Sequence, residues 1–93
     1  MTTQNKDEFS EKVLLVRTEE CSRDEYSFRL EIFQDLKAEF GYEAVLYYRE
    51  NHEGAWKYKR QTPISGDLID DPAKAAGIGW LKFYSEIKDF GKP

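Results

Sequence analysis

Apolar and polar residues alternate from position 26 to 32. Tyr26, Phe28, Leu30 and Ile32 fall on one side of an extended chain, and Ser27, Arg29 and Glu31 on the other. A helical reading of 22–40 competes with this one. Ser22 with Glu25 has the spacing of a capping box, Tyr26, Leu30, Phe33, Leu36 and Phe40 recur at helical intervals, and Gly41 stands where a helix would stop. The helix, however, puts Arg29 and Lys37 inside its apolar arc, whereas the alternation has no error. A strand over 26–33 is therefore expected, with 35–39 as a turn.

Three further elements follow from the pattern. Residues 12–18 form a compact run of strand formers between charges, and a strand is predicted there. Residues 42–50 and 55–62 are β-rich and flank Asn51-His52-Glu53-Gly54, a short polar connection of the kind that closes a hairpin. Near the C-terminus, Asp71 suits a helix cap and Pro72 the first helical position. Ala73, Ala76, Trp80, Tyr84 and Ile87 recur on one face, and Gly91 and Pro93 end the segment. Gly77 and Gly79 each cost ~1 kcal/mol relative to Ala inside a helix. Either the ordered helix starts late, or the glycines let it approach a neighbouring backbone. The expected fold class is α+β: an antiparallel meander of about four strands with a C-terminal helix packed on one face. The alternative order is β-α-β-β-α. Residues 1–10 are polar and aperiodic, a flexible N-terminal segment ahead of a single domain over 11–93.

Composition narrows the class. Of the 93 residues, two are Trp, six Tyr and six Phe. Aromatics bury about 150–250 Å² each, enough for a two-layer core without staples. One cysteine, Cys21, excludes an intrachain disulfide, and the N-terminus has no apolar stretch of signal-peptide type. The longest apolar run, 13–16, is far too short to span a bilayer. These features lead to the expectation of a soluble cytoplasmic protein.

The candidate chemistry is sparse. Cys21 and His52 lack a catalytic signature, and His52 has no second ligand at metal spacing. Asp67, Asp70 and Asp71 lack the spacing of a calcium loop and read as turn and cap residues. Gly77-Ile78-Gly79 lacks the third glycine of a phosphate loop. No catalytic residue, metal ligand or cofactor is assigned, and an enzyme is not expected.

Net charge is −4, yet residues 49–60 carry four basic and two acidic side chains, which leaves −6 for the remainder. Here the basic groups interleave with rings: Tyr47, Tyr48 and Arg49 on one strand, and Trp56, Lys57, Tyr58, Lys59 and Arg60 on the next. Strict period 2 places Trp56, Tyr58 and Arg60 on one side of the strand and Lys57, Lys59 and Gln61 on the other. If the C-terminal helix covers Trp56 and Tyr58, they are core. If it does not, the eight residues form a binding surface. The expected function is a small non-catalytic binding or regulatory protein that engages a protein partner, with a homodimer among the possibilities. The alternative is a single-stranded nucleic-acid binder using hairpin 47–60.

Overall fold

The computed structural model describes residues 13–35, 41–65 and 71–91. The expected flexible segment 1–10, most of the expected turn 35–39, and Asp67 and Asp70 lie outside these residues. The chain runs β1 (Val13–Arg23), β2 (Tyr26–Asp35), β3 (Gly41–Glu50), β4 (Lys57–Ser65), then α1 (Pro72–Lys82) and α2 (Tyr84–Lys88). The strands form one antiparallel sheet in sequential order, and the helices pack on one of its faces. The meander with a C-terminal helix is the architecture the alternation predicts, and the helical alternative for 22–40 is not adopted.

Alternation decides β2 because burial rewards it. Phe28, Leu30 and Ile32 are fully buried under the helices, while Arg29 and Glu31 face the opposite side. Tyr42, Ala44 and Leu46 on β3 and Ile64 on β4 complete the sheet side of the core. Asp71 caps α1, its Oδ1 accepting from the Ala73 amide at 2.9 Å, and Pro72 occupies the first turn. Gly79 lets α1 press onto the sheet: a Cβ there would sit 3.3 Å from Ala44 Cβ and 3.4 Å from the Cδ1 atoms of Ile64 and Leu30. The helix starts at Pro72, so Gly79 serves close approach rather than a late start.

The buried helical stripe differs from the expected one. Ala75, Ala76, Gly79 and Phe83 are buried, whereas Ala73 and Tyr84 are exposed. The helix breaks at Phe83, whose non-helical backbone (ψ 3°) resets the phase, so spacing carried straight through to Tyr84 fails. Phe90, just beyond α2, closes the core against Tyr26, Phe28 and Tyr48 with ring centroids 4.6–5.4 Å apart.

Trp80, on the predicted helix face, is half-buried. It sits at the core's margin, and its indole N–H donates to Glu19 Oε1 at 2.7 Å. That hydrogen bond, followed by the one from Arg17, holds the Glu19 carboxyl below its usual range. A depressed carboxyl contributes stability that is present above its unfolded-state pKa and lost as pH falls through the lowered folded value. Trp80→Phe should therefore shrink the stability difference between about pH 7 and about pH 3, well either side of an ordinary carboxyl pKa. Urea melts at the two pH values would measure it. An unchanged difference would mean that the bond does not hold in solution.

Candidate uncovered sheet face

The two faces of the sheet differ in what covers them. The helices occupy the side of Phe28, Leu30, Ala44 and Leu46. The other side carries Arg29 and Glu31 from β2, Glu43, Val45, Tyr47 and Arg49 from β3, and Tyr58 and Gln61 from β4, with Glu20 at the β1 edge. No described helix packs on this second face.

Alternation divides the eight predicted site residues between the two faces, and a bulge in β4 decides the side of Arg60. Leu46 pairs with Arg60 but Tyr47 pairs with Tyr58, so Lys59 is the extra residue and the side-chain phase flips there. This corrects the strict period-2 reading. Arg60 leaves the side of Trp56 and Tyr58 and forms a 2.9 Å ion pair with Glu86 of α2, while Gln61 moves to the uncovered face and donates to Glu43 at 3.2 Å. Lys57 lies 5.9 Å from the ring of Tyr48, and Lys59 lies 5.7 Å from that of Phe90, both on the helix side. Tyr48 itself packs on Phe90. Four of the eight thus share the uncovered face: Tyr47, Arg49, Trp56 and Tyr58. The structure separates them from Tyr48, Lys57, Lys59 and Arg60.

On the uncovered face the aromatic groups touch one another and their charged neighbours. Tyr47 and Tyr58 meet edge to face with centroids 6.4 Å apart. The Arg49 guanidinium lies 4.2 Å from the centre of the Trp56 ring. Arg29, Glu31, Tyr47 and Trp56 line a shallow groove of about 320 Å³. Arg29 is neutralised by Glu31 at 3.1 Å and Glu20 at 3.2 Å. Burial, and then the Glu31 carboxylate that it hydrogen-bonds, push the Tyr47 phenol up. Sequence reasoning did not count Arg29 and Glu31 among the site residues, although the alternation of β2 had already put them on this side. A larger cleft of about 500 Å³ lies on the helix side, lined by Arg60, Thr62, Lys82 and Glu86 among others. The Arg60–Glu86 pair across it neutralises most of its charge.

The lone histidine is a fastener. His52, in the left-handed region (φ 58°) on the β3–β4 turn, reaches across to the β1–β2 turn. Its Nε2 lies 2.9 Å from the Asp24 carbonyl oxygen and its Nδ1 2.7 Å from Ser27 Oγ. The neutral ring protonated on Nε2 satisfies both, donating to the carbonyl and accepting the hydroxyl proton. The Asn51 amide donates to the Glu25 carbonyl at 2.6 Å beside it. The two turns at this end of the sheet are therefore tied together beside Arg49, which pairs with Ser27 in the register. His52→Ala strands the hydroxyl of Ser27, which is buried. A loss of about 1–3 kcal/mol is expected, the usual result of orphaning a buried polar group. Denaturant unfolding measures it, and a change near zero would mean that the link is not formed.

Cys21 is exposed on β1, and desolvation pushes its thiol up, the opposite of an activated nucleophile. Among the described residues no group of three or more His, Cys, Asp or Glu is placed to hold a metal ion, and no helix is long and apolar enough to cross a membrane. Asp71 is the N-cap of α1. Compared with known proteins, the chain matches no family model, no curated protein and no solved structure.

Proposed function

We propose that this is a non-catalytic binding or regulatory protein that works inside the cell by docking a protein partner on the uncovered face of its sheet. The supporting observation is the separation of rings from basic side chains across the sheet, which the β4 bulge completes by turning Arg60 to the helix side. Trp56, Tyr47 and Tyr58 are on the face that the helices leave open, and Lys57, Lys59 and Arg60 are on the other. Aromatic residues dominate the energetics of protein interfaces when a partner desolvates them. A single-strand binder needs rings and cations together along one groove. Here the rings share their face with Arg29 and Arg49 but also with Glu20, Glu31 and Glu43, whose carboxylates outnumber those cations and oppose a polyanion. A single cysteine and the absence of disulfides fit a reducing compartment.

Two measurements test this reading. In affinity capture from the native cell with nuclease treatment, Tyr58→Glu should lose the captured protein and Tyr84→Glu should keep it. Both tyrosines are well exposed, at 58% and 61%, but they lie on opposite sides of the sheet. In fluorescence anisotropy, oligonucleotides should bind no tighter than about 10 μM at physiological salt, within the range of weak non-specific binders. Sub-micromolar binding removed by Lys57→Glu with Lys59→Glu would instead establish the nucleic-acid function.

A further inference from the structure

We propose that Arg49, whose guanidinium lies over the Trp56 ring, is a carboxylate anchor that takes an Asp or Glu side chain of the docked partner. The inference rests on the protein-docking reading above and names the chemistry the partner must bring.

The chain has five arginines. Arg17, Arg23, Arg29 and Arg60 each lie within ion-pair distance of a carboxylate. Arg49 has no carboxylate partner among the described residues. Its guanidinium carbon is 4.2 Å from the Trp56 ring centre, and Nη1 makes one long contact of 3.4 Å to the Gly54 carbonyl. Nε is buried and lacks a hydrogen-bond partner among the described residues. A guanidinium carries five N–H donors, and Nη1 uses one on a long contact, so its terminal Nη groups keep donors for an acceptor while the Trp56 ring lies against the group. Stacking on a ring and bidentate recognition of carboxylate are the two things arginine does that lysine does not. A donor ordered before binding also pays less entropy when the acceptor arrives.

The face selects a carboxylate over a nucleic-acid backbone. A chain of phosphates crossing it meets Glu20, Glu31 and Glu43, whereas one carboxylate on Arg49 meets none of them directly in the register, where Arg49 pairs with Ser27. Trp56 also lines the groove with Arg29, Glu31 and Tyr47, which gives an apolar or aromatic neighbour of the partner's acid a place to sit.

The test uses the full-length ¹⁵N-labelled protein and follows the Arg49 Nε–H and Trp56 indole N–H signals by NMR. N-acetyl-aspartate amide is added in one series, its asparagine counterpart in a second and inorganic phosphate in a third. Both signals should shift saturably with the aspartate compound and not with the asparagine compound, with phosphate weaker than aspartate. Arg49→Lys, which keeps the charge and loses the fork, should abolish saturation. The wild-type comparison decides the matter even if that variant fails to fold. Signals that stay still, or that move equally with asparagine, overturn the anchor, and tighter saturation by phosphate replaces the carboxylate with a phosphate ligand. An anchor that fails while Tyr58-dependent capture persists leaves the docking face standing. Saturable aspartate binding without any captured protein overturns the docking reading instead.

Discussion

Phe83→Ala is expected to lower the stability of the folded chain by about 3–5 kcal/mol, the cost of deleting a fully buried aromatic side chain from a core. Phe83 is 1% exposed and sits where α1 ends and α2 begins. Its ring belongs to the cluster of Phe28, Leu30, Leu46 and Ile64, and its amide donates to the Gly79 carbonyl at 3.0 Å. A domain of this size has a total stability on the order of 5–15 kcal/mol, so the variant should sit near its folding threshold at ambient temperature. Tyr84→Ala, one residue on and 61% exposed, should stay within about 0.5 kcal/mol, as surface changes do. Denaturant melts of the two variants provide the check. Equal losses would mean that the helix is rotated from the position described.

Trp56→Ala should separate binding from stability. Trp56 is half-buried, lies in the loop just ahead of β4, and loses mainly its stacking with Arg49. Cation–π contacts are worth ~0.5–1 kcal/mol when exposed and about 2 kcal/mol when desolvated, so the fold should survive. An aromatic residue at the centre of an interface typically contributes 2 kcal/mol or more, so affinity for the captured partner should fall at least about 30-fold. Isothermal titration against that partner, alongside a melt, reads both quantities. A fall of less than about threefold would remove Trp56 from the interface.

How much of this was legible in the residues depends on what each element buries. β2 was legible because one of its faces is fully covered, which forces Phe28, Leu30 and Ile32 into phase. β1 continues to Arg23, beyond the predicted end at 18, because an edge strand lying largely in solvent accepts Glu19, Glu20 and Ser22 without any apolar rhythm. Asp71 and Pro72 marked the start of α1 through local chemistry that needs no tertiary context. The break at Phe83 and the bulge at Lys59 were not legible, since each spends a residue without a composition signal and moves every later side chain to a new face. Phe90 was missed because it lies past the helical pattern, and its role appears only when the chain end folds back on Tyr26 and Tyr48.

For the site, the sequence identified the segment and half of its membership. It grouped Arg60 with Trp56 and Tyr58 by strict alternation, and the bulge reverses that grouping. It also put Lys57 and Lys59 on the side opposite Trp56 and Tyr58, and there they lie, near the rings of Tyr48 and Phe90 on the helix side. His52 was placed in the polar connection of the hairpin. It is exposed and does lie in the turn, and both its ring nitrogens are engaged by the neighbouring hairpin.

Site-specific photo-crosslinking reads which face of the sheet meets the partner. A benzophenone amino acid would replace Tyr58 on the uncovered face in one protein and Tyr84 on the helix side in another, each irradiated in the native cell. A discrete protein adduct is expected from position 58, lost in Trp56→Ala, with none of that mass from position 84. The same adduct from both positions, or from 84 alone, would contradict docking on the uncovered face.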